Sequence, residues 1–67
     1  MELITKDHRQ VSCKFIESID YEDMIELELK DLQESCDVIE GEPIMKLTHW
    51  DDSYSYEPIR YVSYIKP

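Results

Sequence analysis

The chain has 67 residues, with 16 Asp and Glu against seven Lys and Arg, and a net charge of −9. A chain this short makes one domain (1–67) around one modest core, and buries only about 60% of the surface its unfolded form exposes. The charge disfavours a phosphate-reading surface, which needs clustered bases, and the 42% apolar content, with five Tyr, one Trp and one Phe, argues against an acidic disordered segment.

Glu2 to Thr5 reads as a short strand, and Lys6-Asp7-His8-Arg9 as a polar turn with a basic tip. From Gln10 the residues alternate, with Val11, Cys13 and Phe15 on one side and Ser12 and Lys14 on the other, the period of a half-buried strand. Ile16 and Ile19 break that alternation. The expected product is a hairpin from about Glu2 to Ser18.

Glu17 to Glu42 holds nearly all of the net charge. It carries eleven carboxylates and one cation, Lys30, a sum of −10, while the rest has five acids and six bases, a sum of +1. At about 100° per residue, Tyr21, Met24, Ile25, Leu29, Leu32 and Cys36 gather on one arc. Glu22, Asp23, Glu26, Lys30, Asp31, Gln33 and Glu34 fill the opposite one, and only Leu27 and Glu28 fall outside the scheme. Asp20 is placed to cap such a helix, Ile19 to staple against Met24, and Glu26 to pair with Lys30 one turn on. The rival reading is a strand, from the alternation of Ile25, Leu27 and Leu29 with Glu26, Glu28 and Lys30. It leaves Asp31 to Pro43 as a loop of about a dozen residues, uncommon in a compact domain. The helix, about 21–35, is therefore preferred.

Gly41 and Pro43 mark a turn. Ile44 to Trp50 is a further strand, with Met45 and Leu47 on one face and Lys46 and Thr48 on the other. Asp51-Asp52-Ser53 supplies a polar turn, and the run from Tyr54 has the aromatic and β-branched residues that strands favour. Pro58 has no amide hydrogen for a ladder, so it belongs at an edge, a bulge or a break. The C-terminal half is expected to be a hairpin or a three-strand meander. Together these elements predict an α+β fold, an antiparallel sheet of about four strands with one acidic amphipathic helix.

LITKDHRQVSCKFIESIDYEDMIELELKD, closing with EPIRYVSYIKP, resembles the rhythm of small SH3-like and Sm-like barrels: strand, polar turn, long bent strand, Asp-containing turn, apolar strand, final strand. It is also similar to the small acidic inhibitors of the Rho termination factor, which use such a barrel. The resemblance implies an all-β small barrel as the alternative fold. It carries over no site residues, and Lys6-Asp7-His8-Arg9 stands where those families place glycines.

Cys13 and Cys36 form no CxxC and no metal pattern, and both fall on apolar arcs, so they read as buried, reduced thiols of a cytoplasmic protein. No apolar run has the length of a signal peptide or a membrane span. His49 with Asp51 and Asp52 offers a nitrogen and two carboxylates, but a metal needs three or four convergent ligands, and neighbours on a strand point apart. No metal, no cofactor and no enzymatic activity are expected, since so short a chain has little material for both a cleft and a core. Tyr54, Tyr56, Tyr61 and Tyr64 lack the cationic groove that base stacking requires, so they read as cross-strand packing and no direct nucleic-acid binding is expected.

Protein recognition remains. Carboxylates recurring about every third residue can imitate nucleic-acid phosphates and steer a basic partner; the plain alternative is a solvated face that keeps the protein soluble. The expected partner surface is Glu22, Asp23, Glu26, Asp31, Glu34 and Asp37, with Trp50, Tyr54 and Tyr56 as aromatic anchors. The predicted function is a non-enzymatic acidic regulator or inhibitor of a basic, nucleic-acid-handling protein, an enzyme or a transcription factor. The size and charge suit a phage-type or accessory protein. The second reading is a structural or accessory subunit that pairs with a copy of itself, a homodimer, through an exposed edge at Tyr54 to Ile65.

Overall fold

Why the alternation after Gln10 fails at Ile16 is visible in the backbone. The computed structural model describes residues 1–67, and in it β1 (Glu2–Thr5) pairs antiparallel with β2 (Gln10–Ser12), while β3 (Phe15–Ile19) pairs with a different strand, β4 (Ile44–Thr48). The change of partner falls between two neighbouring residues. The Cys13 amide donates to the Met1 carbonyl at 2.9 Å, and the Lys14 amide donates to the Thr48 carbonyl at 2.9 Å. One continuous bent strand thus serves two sheets, as at the corners of sheet packings. The bend shifts the inward phase by one: Cys13 is buried, Phe15 is 51% exposed and Ile16 is buried again. The expected hairpin therefore ends at Ser12, not Ser18.

β4 continues to β5 (Tyr54–Pro58) through a turn in which Asp52 takes a left-handed φ of 67°, a conformation Asp tolerates better than most residues. Pro58 closes β5, which is an edge strand, so its missing amide hydrogen breaks no ladder. A 3-10 turn, Ile59–Tyr61, then carries the chain to β6 (Val62–Lys66), which pairs with β1. The result is two three-stranded antiparallel sheets, β2-β1-β6 and β3-β4-β5. The expected count of about four strands is corrected to six, because the bent strand and the Pro58 break each divide one expected strand in two. The C-terminal half does contain a hairpin, β4 with β5, but β6 joins β1 instead of extending it to a meander, and the two sheets do not close into a barrel.

The preferred helix is present but shorter than 21–35. Tyr21–Asp23 is a single 3-10 turn, Met24 returns to an extended conformation, and α1 runs over Glu26–Ser35. Met24 breaks the helix by turning into the core, where it is 9% exposed beside Leu32 and Ile44. Asp20 makes no side-chain capping bond, and Ile25 occupies the N-cap of α1 without one either. Glu26 and Glu28 in the first turn offset this, since carboxylates favour the positive helix terminus.

Two apolar clusters hold the layers. Leu3, Cys13, Ile16, Met45, Leu47 and Val62 fill the space between the sheets. Met24, Leu32 and Ile44, with Ile19, Leu29 and Tyr56 packed on them, join α1 to the outer face of the second sheet. β4 is buried on both faces only at its Ile44 end; Lys46 and Thr48 on the outer face are partly exposed. The helix covers only part of that sheet. No helix is long and apolar enough to cross a membrane.

Candidate functional site

The register of the second sheet ranks its outer face in three rows. Ile19, Ile44 and Pro58 form the first, Glu17, Lys46 and Tyr56 the second, and Phe15, Thr48 and Tyr54 the third. The helix packs on Ile19, Ile44 and Tyr56, so the third row lies beyond it. Where the covered and open parts meet, a cavity of about 320 Å³ is lined by Glu28, Asp31, Leu32 and Ser35 of α1 and by Tyr54 and Tyr56 of β5.

Both sets of lining residues follow from element periods. Positions 28, 31, 32 and 35 share one side of a helix, and positions 54 and 56 share one face of a strand. The Tyr56 hydroxyl donates to the Glu28 carboxylate. Burial, followed by that hydrogen bond and the charge of Glu28, pushes the Tyr56 phenol up to about 12. Tyr54 is 56% exposed, and the Lys46 ammonium lies 4.3 Å from its ring centre, a cation over an aromatic face.

The structure brings three residues of the expected partner surface to the cavity and places the others outside its lining. Asp31, Tyr54 and Tyr56 meet at the cavity. Glu22 and Asp23 sit on the 3-10 turn, and Glu26, Glu34 and Asp37 are exposed elsewhere on and after α1. Trp50 is separate from Tyr54 and Tyr56: it is 67% exposed in the β4–β5 turn, and its indole N–H donates to the Ser12 hydroxyl at 3.5 Å. Its position in a turn, past the end of the ladder, takes it off the face that carries the tyrosines.

Glu28, Leu32, Ser35 and Lys46 were not expected at the site. Glu28 falls outside the two-arc wheel because it lies at the border of the apolar arc, and that border position puts it on the cavity. The 28, 31, 32, 35 spacing was the available signal.

Electrostatically the acidic stretch is nearly uncompensated. The ion pairs are Arg9 with Asp7 and Glu57, Lys14 with Asp52, and Arg60 with Glu42. Only Glu42 belongs to the eleven carboxylates of residues 17–42, which leaves ten without an ion pair (eleven less one). The expected Glu26 to Lys30 pair is not among those formed.

Other chemistry-bearing side chains are otherwise engaged. His49 Nε2 and the Ser55 hydroxyl are 2.6 Å apart, and Asp51 accepts from the Ser53 hydroxyl and amide, which holds its carboxyl below the usual range. Cys13 is buried and Cys36 partly so, and burial pushes both thiols up, away from the reactive thiolate. Compared with protein-family models, curated proteins and solved structures, the chain shows no match.

Proposed function

We propose that the protein is a non-enzymatic acidic regulator that binds a basic, nucleic-acid-handling protein and occupies the groove that nucleic acid would fill. The observation that carries this reading is the set of ten carboxylates in residues 17–42 with no ion pair, four of them on α1 and the others before and after it in the chain. Such a display concentrates negative potential and favours fast, salt-sensitive association with a cationic surface. A cytoplasmic location fits a partner of this kind.

Charge reversal tests the proposal. Glu26→Lys with Glu34→Lys alters two exposed side chains, so the fold should survive while capture of the basic partner is lost, and added salt should weaken the unaltered complex. Binding that persists through both changes contradicts the reading.

One observation favours a second reading. β5 and β6 are both sheet edges, and Tyr64 is 57% exposed, so the C-terminal strands could pair with a second copy. Sedimentation across a concentration series decides it: a monomer at every concentration removes it.

A further inference from the structure

The cavity between α1 and β5 combines three features that ordinary packing does not require together. It is open, it has two tyrosine rings, and its remaining polar wall is acidic, with Glu28, Asp31 and the Ser35 hydroxyl. No cation lines it. Lys30 is exposed on the same helix but lies about 100° or more around it from the lining positions, and Lys46 is held over Tyr54.

We propose that this cavity is the seat of an arginine side chain from the partner protein. The inference rests on the proposed function and deepens it, by naming the group that the acidic protein grips. Charge complementarity selects a cation: two carboxylates border the space, and Glu17, Lys46 and Tyr56 form the adjoining row of the sheet, so the neighbouring charges largely cancel. The tyrosine rings then select among cations. A guanidinium is planar, stacks on aromatic faces, gives paired N–H donors to a carboxylate, and is more weakly hydrated than an ammonium. It therefore loses less on entering a cavity whose lining is half apolar, from Leu32, Tyr54 and Tyr56. Its alkyl stem has Leu32 to lie against, as long cationic side chains do along apolar surface.

The molecule contains a small precedent. The Lys46 ammonium sits 4.3 Å from the Tyr54 ring centre, so this ring already faces a cation within the fold. Glu28 is also held ready: the Tyr56 hydroxyl donates to it, which fixes the carboxylate and leaves it further acceptor sites.

The test titrates the labelled full chain with Nα-acetyl-arginine amide, and separately with the lysine analogue, following backbone amide shifts by NMR at fixed salt. Saturable shifts at residues 28–35 and 54–56 are expected, with the lysine analogue several-fold weaker. Asp31→Asn or Tyr54→Ala, both exposed positions, should weaken arginine binding about tenfold, the loss of one charged contact or one stacking face. Shifts spread evenly over Glu22, Asp23, Glu26 and Glu34 would mean general attraction to the acidic stretch and overturn the assignment, as would no shift or equal response to lysine. Those failures leave the proposed function standing if a basic partner is still captured in a salt-sensitive way. Loss of capture with arginine binding intact would remove the proposed function and keep the site.

Discussion

The Tyr56 hydroxyl on β5 donates to the Glu28 carboxylate on α1, across 28 residues of sequence. This bond fastens the acidic helix to the sheet at the border of its covered area. It also ties one wall of the cavity to the other, so the cavity's shape depends on it.

Removing the hydroxyl should loosen that seam. Tyr56→Phe is expected to cost ~1 kcal/mol at pH 7, the net worth of a partly exposed hydrogen bond to a charged group. The phenol ionises at about 12 in the fold against 10.0 for a free tyrosine. A raised folded value means that the stabilisation is complete below pH 10 and is lost between pH 10 and about 12. Denaturation of both proteins over that range should show the gap closing; a gap that is constant with pH would contradict the bond.

The helix makes a sharp contrast between two leucines. Leu32 is 9% exposed in the cluster with Met24 and Ile44, and Leu27 is 74% exposed. Leu32→Ala should cost about 2 to 3 kcal/mol and Leu27→Ala within ~0.5 kcal/mol of nothing, by urea denaturation. The strand reading of the same residues puts Leu27 on the buried face with Ile25 and Leu29, and would reverse the order.

That contrast shows how much of the fold was legible. Turn chemistry, the strands around Leu3 and Met45, and the presence of a helix follow from local pattern. The sheet switch at Cys13 and Lys14 does not, because a change of ladder partner depends on where β4 lies, thirty residues on. Ile16 out of phase was its only trace. Likewise Met24 falls on the apolar arc of the wheel, yet its burial is achieved by leaving the helix, a tertiary choice that a wheel cannot display. The cavity was half legible: Asp31, Tyr54 and Tyr56 were expected to serve recognition, while the grouping of Tyr54 with Trp50 failed because adjacency along the chain is not adjacency on a face.

Glu57 offers a test of an ion pair that should not stabilise. Burial pushes its carboxyl above the usual range, even though the Arg9 guanidinium 3.4 Å away pulls it down. A raised folded value gives stability that is full below the ordinary glutamate range and lost as pH rises through the folded value. Glu57→Gln should therefore gain stability relative to the unaltered protein between pH 4 and pH 7. A relative loss over that interval, read from thermal midpoints, would mean that the Arg9 pair outweighs the burial of charge.

Salt should act in opposite directions on folding and on binding. The ten unpaired carboxylates repel one another, so raising NaCl from about 20 mM to 500 mM should raise the thermal midpoint of the free protein. The same change should weaken the complex with a basic partner. A midpoint that falls with salt would show that attractive pairs dominate the fold.

On the proposed function, the acidic helix occupies a nucleic-acid groove of its partner. The most direct measurement is release of the captured partner from the immobilised protein by duplex DNA or RNA, at a salt concentration where the complex is otherwise stable. Mimicry requires that nucleic acid displaces the partner, and that the Glu26→Lys, Glu34→Lys protein never captures it. A partner that stays bound in excess nucleic acid, and binds the charge-reversed protein equally well, would contradict the account and leave the carboxylates as a solvated face.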